Sequence, residues 1–376
     1  MAAPIPFTIE VYDKAFNFQC FIGDPESVIA TLRHNQKSTA TLTVSSDHLR
    51  MGALTADGAR LVLRYYGEFL MSGPISVRSG QGPGIDGTVT LNLDGDFRIL
   101  DNVLAWVSPT SVISSQGGSE YYIIGGNAES VVKDLVTKNA ITRLGMPVIC
   151  ANNQNRGAVI PGGIKARFQT LRDLLLPAVE IAGLGITFSQ GSDKIVCDVY
   201  VPQTFPRILS EAGGMITDWR WTDANPAATR VVMAGTGDGT ARVFRSLSDS
   251  ARESQYGDII EVFKDARDAD TSTLLDARGN ESLTEGAAKF GFALTLAETE
   301  NFRYGGTGVH VGDRVTVDLG FATRTDILRE ATISWTAKEG VEVTPLVGEI
   351  QDNPDRALGN FLRSLRKGIS DLKVSK

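Results

Sequence analysis

Residues 218–265 read DWRWTDANPAATRVVMAGTGDGTARVFRSLSDSARESQYGDIIEVFKD. The order is strand, turn, strand, glycine-rich hairpin, strand, loop and strand. Asn225-Pro226 starts a turn, because Pro226 fixes its own φ and disfavours helix at Asn225. Arg230–Ala234, with its paired valines, suits a strand. Gly235, Gly237 and Gly239 follow, and Asp238-Gly239 is a hairpin signal. A phosphate-cradling loop needs its glycines to open a helix after a strand. The residues after Gly239 are TARVFRS, which read as strand, so a hairpin is the better reading than a nucleotide site.

The surrounding chain has 376 residues, enough for two to four units with their own cores. Hydrophobic content of 42% and charged content of 22% are those of an ordinary soluble globular protein. Thirty-nine glycines favour many strands and turns. A net charge of −7 argues against a nucleic-acid-binding surface spread over the whole molecule. Cys20, Cys150 and Cys197 are far apart in sequence, odd in number and outside any CxxC, so neither a zinc site nor a disulfide framework is expected. A reducing compartment during synthesis fits them. The first residues, MAAPIPFTIEVYDK, lack the basic and apolar regions of a signal peptide, and no apolar run is long enough for a membrane anchor.

Upstream, Phe7, Ile9 and Val11 alternate with polar neighbours, the period of a half-buried strand. Residues 27–36, 38–44, 59–66, 69–78 and 87–93 repeat the pattern between short turns, which predicts an antiparallel barrel or sandwich. Residues 96–106 predict a short helical or irregular exit. Helices follow at 128–138, capped by Asn127, and at 170–182, capped by Thr170 and kinked or split by Pro177. A hairpin spans 186–201. Downstream of the opening stretch, strands are expected at 289–296, 314–319, 331–338 and 341–347. The fold class is α+β, mainly β, divided into residues 1–104, 105–210, 211–350 and 351–376.

The last segment differs from the rest. Leu358, Leu362, Leu365, Ile369 and Leu372 step by 4, 3, 4 and 3, an a/d seam over about two heptads. Two heptads are short for an isolated coiled coil. The helix therefore reads either as docking on its own domain or as a self-association element.

Chemistry-bearing constellations are sparse. The three histidines, His34, His48 and His310, form no metal-ligand spacing, and no GxSxG is present. A triad of Cys150 or Cys197 with His310 is disfavoured by apolar surroundings such as IVCDV, which suit an inert thiol. Asp265, Asp268 and Asp270 miss the calcium-loop order and read as a solvated acidic loop. Trp219 and Trp221 share a face if their segment is a strand. A sugar-stacking platform is one reading of that pair; core or subunit contact is the better one. No catalytic residue, cofactor site or metal site is expected.

The segments AESVVKDLVTKNA (128–140), FQTLRDLLLPAVEIAGLGITF (168–188), NPAATRVVMAGTGDGTARVF (225–244), YGDIIEVFKDARD (256–268), VGDRVTVDLG (311–320) and VEVTPLVGE (341–349) follow the early strands in that order. The set resembles the minor tail proteins that form the tail-tip hub of long-tailed phages. More narrowly, it is similar to the hub family of actinobacterial phages, and through it to the central baseplate hub of contractile phages. The resemblance implies two tail-tube-like β-barrel domains, at 1–104 and 211–350, with an α+β insert between them and an amphipathic helix at the end. It implies a homotrimer whose six barrels continue a six-fold tail tube. The implied partners are the distal tail protein ring, the tape measure protein, other tip or fibre proteins, and DNA passing through the lumen without specific binding. It implies a virion location at the tail tip after synthesis in the host cytoplasm. Some tail-tip proteins append a hydrolase domain after the hub, and the end at Lys376 leaves the expectation of a hub without one. The competing expectation is a carbohydrate-binding or cell-wall-degrading tail-tip protein.

Overall fold

The computed structural model describes residues 4–82, 87–267, 269, 271–299 and 302–349. The heptad positions Leu358, Leu362, Leu365, Ile369 and Leu372 lie outside the described residues, as do Asp268 and Asp270.

The early strands are β1 (Phe7–Tyr12), β2 (Phe18–Ile22), β3 (Ser27–Arg33), β4 (Thr39–Ser45), β5 (Arg60–Tyr65), β6 (Glu68–Gln81) and β7 (Thr88–Asp94), with α1 (Met51–Thr55) before β5. Their alternation has the expected consequence: Ile9, Val11, Val28, Ala30, Leu32, Leu42 and Val44 are all buried in one core. The middle contains α2 (Arg98–Asn102), β8 (Tyr122–Ile124), α3 (Ala128–Val136), β9 (Val148–Cys150), β10 (Ile164–Ala166), α4 (Leu171–Ile181), β11 (Gly185–Gln190) and β12 (Ile195–Tyr200). The remainder contains β13 (Thr204–Ser210), β14 (Ile216–Ala224), β15 (Arg230–Ala234), β16 (Phe244–Ser248), α5 (Ser250–Tyr256), β17 (Glu261–Asp265), α6 (Ser272–Glu285), β18 (Lys289–Leu296), β19 (Arg314–Asp318), β20 (Thr323–Thr336) and β21 (Gly340–Gly348).

Thirteen strands form one network, in the order β14-β18-β21-β20-β3-β4-β7-β6-β5-β1-β2, with β19 and then β13 attached through β20. Two 14-residue strands turn its corners. β6 pairs with β5 through its first half and with β7 through its second, with a register shift at Ile75/Val77. β20 pairs with β19 through residues 323–327 and with β21 and β3 beyond Leu328, where a second shift lies. Strands that change sheet through a bulge are how a layered β structure bends over its own core. The sheet is mainly antiparallel, and its path is open at β2 and β14. Two closed hydrogen-bonded barrels are therefore not what the described ladders form. The β3–β20 pairing, from Ser27↔Thr336 to Arg33↔Glu330, splices the early strands onto the late ones. Early and late strands consequently share one core, in which Val28 and Leu42 join Phe292, Ile333 and Trp335.

Two smaller units attach to this sheet. In the first, β11, β12 and β9 form a sheet covered by α3 and α4 around a second core. Asn127 and Thr170 cap the two helices as expected, accepting from the amides of Ser130 and Asp173. α4 is unbroken through Pro177, contrary to the expected kink or split. Leu171 and Leu175 before the proline and Val179 after it are all fully buried, so packing holds both halves on one axis.

In the second unit, β15 pairs antiparallel with β16 and parallel with β17, and α6 covers one face. The loop expected between β16 and β17 contains α5, capped by Asp249 and ended by Gly257 in the left-handed region. The sequence pattern does not predict α6 either.

Gly73 sits at the first corner, where β6 crosses the end of β7. A Cβ there would lie 2.0 Å from the Asp94 carbonyl oxygen and 3.1 Å from the Gly95 Cα. Gly73→Ala is expected to destabilise the fold by roughly 1–3 kcal/mol, because backbone atoms must move to admit the methyl. Urea midpoints of the variant and wild type check it, with an unchanged midpoint counting against the corner's tightness.

Candidate functional site

The described residues hold the candidate chemistry apart. His34 is buried in the turn after β3, His48 pairs with Asp24 at 2.9 Å, and His310 faces Glu68 and Asp313 at 3.5 and 3.4 Å. Cys150 and Cys197 are brought together by β9 and β12, whereas His310 lies in the segment before β19. The glycine-rich stretch is the turn of the β15–β16 hairpin, strand–turn–strand as expected. Asp265 is engaged by Arg242 and Arg267. Among the described residues no cluster of His, Cys, Asp or Glu is arranged to hold a metal ion, and no helix is long and apolar enough to cross a membrane.

What the fold does build is a polar joint and two aromatic edges. The joint lies between the large sheet and the α/β unit of β11 and β12. On one side, the Asp96 carboxylate accepts from Arg60 Nη2 at 2.6 Å and from the Ser72 hydroxyl at 2.7 Å. Arg60 Nε donates to Gln190 Oε1 at 2.9 Å, and the Gln190 amide donates to Ser72 Oγ at 2.9 Å. The Asp96 side chain is 0% exposed and that of Arg60 6%. Gln190 ends β11, so this network ties the α/β unit to β5 and β6. On the other side, the β3–β4 turn reaches across. Asn35 Nδ2 donates to the Leu184 carbonyl at 3.0 Å, and the Ile186 amide donates to Asn35 Oδ1 at 2.9 Å. Tyr200 Oη lies 2.7 Å from His34 Nδ1. Burial pushes the His34 imidazole down to about 4, reinforced by the Arg329 charge. Burial pushes the Tyr200 phenol up, with the Asp313 charge adding to it.

The first aromatic edge is β2, which among the described residues pairs only with β1. The register shift at Val11/Tyr12 leaves Gln19 as an extra residue and rotates Phe18 onto the side of Phe21. Phe18 and Phe21 meet as tilted rings with centroids 4.8 Å apart, and Tyr12 meets Phe18 edge-on at 5.7 Å. The two phenylalanines are 48% and 58% exposed. The second edge is β14, which among the described residues pairs only with β18. Trp219 and Trp221 do share a face, and both rings contact Phe321, at 5.4 and 5.5 Å. Trp219 packs partly against the main core, whereas Trp221 and Phe321 are 39% and 60% exposed. Sequence reasoning found the tryptophans through their i, i+2 spacing. It missed Phe18 and Phe21, because an i, i+3 pair in a strand shares a face only when a bulge intervenes.

The sequence profile of the Siphovirus ReqiPepy6 Gp37-like protein family matches residues 8–349. No curated protein matches the chain. Among solved structures, the 43 kDa tail protein of prophage MuSo2 from Shewanella oneidensis is similar in fold. Its TM-score is 0.59 at 11% identity, over 90% of this chain and 98% of that one. The tail protein from Neisseria meningitidis MC58 gives 0.60 at 13% identity, over 92% and 97%. The prophage tail protein gp18 from Listeria monocytogenes EGD-e gives 0.58 at 10% identity, over 96% and 99%. At these identities the likeness is one of fold.

Proposed function

Because the chain belongs to the Siphovirus ReqiPepy6 Gp37-like protein family and is a structural protein of the phage tail, we propose that it is the tail-tip hub, a homotrimer that carries the tail tube from six-fold to three-fold symmetry. The observation that carries this reading is an open sheet whose two terminal strands each present exposed aromatic side chains. A sheet edge left free is a template for pairing with another chain, and a closed ring of copies removes it. In the trimer, the Phe18–Phe21 edge of one copy meets the Trp221–Phe321 edge of the next. The two lobes, each bent by one 14-residue strand, play the part of two tube-like barrels, so three copies supply six.

The division at 1–104, 105–210, 211–350 and 351–376 belongs to this proposal. So does a self-association role for Leu358, Leu362, Leu365, Ile369 and Leu372. The expected neighbours are the distal tail ring, the tape measure protein and the tip or fibre proteins. The lumen conducts DNA, and a protein of net charge −7 avoids the salt-dependent phosphate binding of a basic channel. The hub catalyses nothing and needs no cofactor.

Light scattering on the full-length protein is expected to give three chain masses. Phe18→Ser with Phe21→Ser, or a stop after Asn353, is expected to shift the mass toward one. A monomer at all concentrations in the wild type would overturn self-assembly in isolation. The exposed Trp221 also suits a carbohydrate-gripping tip protein. Binding of isolated cell walls that is lost in Trp221→Ala or Trp219→Ala, with folding intact, would favour that reading instead.

A further inference from the structure

We propose that Cys150 and Cys197 are a modification site: a pair of thiols that a small-molecule disulfide, of the oxidised-glutathione class, converts into a cross-link between β9 and β12. The sequence separates these residues, but the fold places them in register on neighbouring parallel strands. Register partners in parallel strands point to the same face, and both side chains contribute to the second core. Strands lie about 4.8 Å apart, inside the roughly 4.4–6.8 Å Cα window that a disulfide requires. The two thiols differ in access. Cys197 is fully buried and Cys150 is half-buried, so reagents meet Cys150 first.

The surroundings of Cys150 support the role of attacking thiol. Thr137 Oγ1 donates to its Sγ at 3.6 Å, which favours the thiolate, whereas the protonated thiol donates to the Lys133 carbonyl at 3.7 Å. The neighbouring Cys197 thiol draws the Cys150 thiol down to about 7 against the opposing effect of burial, with Thr137 and the Lys133 charge helping. A thiol lowered in this way is more readily a thiolate than an ordinary cysteine and retains good nucleophilicity. The same partnership and its own burial hold Cys197 well above the ordinary thiol range, as suits a resolving thiol that acts second.

The steps balance. The Cys150 thiolate attacks one sulfur of the small disulfide, the S–S bond breaks, and one thiolate leaves and takes a proton from water. Cys197 then gives up its proton and attacks Cys150 Sγ, expelling the second thiolate. The second thiolate is protonated in its turn, so the protein loses two protons and two electrons and the oxidant becomes two thiols. Virion proteins pass from a reducing cell to an oxidising medium, and this pair would register that passage.

The test treats intact full-length protein with oxidised glutathione, blocks remaining thiols with iodoacetamide, and maps peptides without reduction. The expected result is a Cys150–Cys197 linked peptide with Cys20 alkylated, a mass loss of about two hydrogens, and a melting temperature that rises by several degrees and returns with dithiothreitol. Cys197→Ser is expected to trap glutathione on Cys150. If that variant fails to fold, the order of alkylation in native wild type reads the same point, with Cys150 ahead of Cys197. Full alkylation of both residues after oxidation, or a stable glutathione adduct on Cys150 in the wild type, would overturn the proposal.

Discussion

Asp96→Ala is expected to lower the unfolding free energy by about 3–5 kcal/mol, the usual cost of stranding one member of a buried ion pair. The Asp96 carboxylate is wholly buried, and its Oδ2 takes both the Arg60 and Ser72 bonds. Its Oδ1 is buried without a protein partner, so these two bonds are its compensation. Without Asp96, the Arg60 guanidinium keeps Gln190 as its hydrogen-bonding neighbour and its cation–π contact with Phe16, neither of which carries negative charge. Denaturant unfolding of Asp96→Ala, Arg60→Met and the double variant forms a cycle. A double variant more stable than Asp96→Ala alone would show that the stranded charge, not the lost volume, is what costs. Equal losses in all three would sink that account. Because Gln190 belongs to β11, early loss of protection in the α/β unit by hydrogen exchange is the expected companion result.

The second large effect is acid sensitivity centred on His34. The folded protein holds this imidazole neutral down to about pH 4, while the unfolded chain takes up a proton near pH 6.5. Below pH 6.5 the unfolded state therefore binds more protons, and stability falls as pH falls, levelling off once pH passes below 4. At about 1.4 kcal/mol per pH unit, the loss through this residue between pH 7 and 4.5 is roughly 2–3 kcal/mol. His34→Gln removes the titration, so its stability is expected to fall less over that interval than that of the wild type. Glu180 and Glu298, whose carboxyls burial raises, respond in the opposite sense but do so in both proteins. Unfolding curves at the two pH values decide it. Parallel losses in wild type and His34→Gln would remove His34 as the cause.

Glu129 adds to the same acid response within the α/β unit. Burial opposes ionisation of its carboxyl, but the Lys133 ammonium and the amides of Arg156 and Gln154 outweigh burial and hold it below the usual carboxylate range. That stabilisation is present above the ordinary carboxylate range and fades as pH falls through the lowered value. Its onset is therefore more acidic than that of His34, and the joint is expected to yield before the α/β unit does.

Most strands were legible because water on one face and core on the other impose a period of two. Both capped helices of the α/β unit were legible through Asn127 and Thr170. α6 was not, because Gly279 interrupts it and its large apolar positions reduce to Leu274, Leu275 and Leu283. The glycine is there for β15: a Cβ would meet the Met233 sulfur at 2.3 Å. Local propensity was given up for a close helix–sheet approach that only the tertiary structure reveals. The Cys150–Cys197 neighbourhood and the β3–β20 ladder were hidden for a related reason. Each joins residues whose proximity depends on how the intervening chain folds, and spacing along the sequence carries no record of that.

The ladder has a consequence in time. Thr31 and Thr332 are hydrogen-bonded across 301 positions of sequence. At a synthesis rate of about 5–20 residues per second, β3 emerges roughly 15–60 seconds before β20 exists. For that interval the nascent chain carries β3 with one side paired to β4 and the other bare, while Val28, Ala30 and Leu32 await the late half of their core. Long-range pairing of this kind is slow and exposed to capture by other chains. The last-made corner strand is thus the clasp of the first-made sheet, and any ribosome that stalls before Thr323 releases a product whose sticky side was never covered.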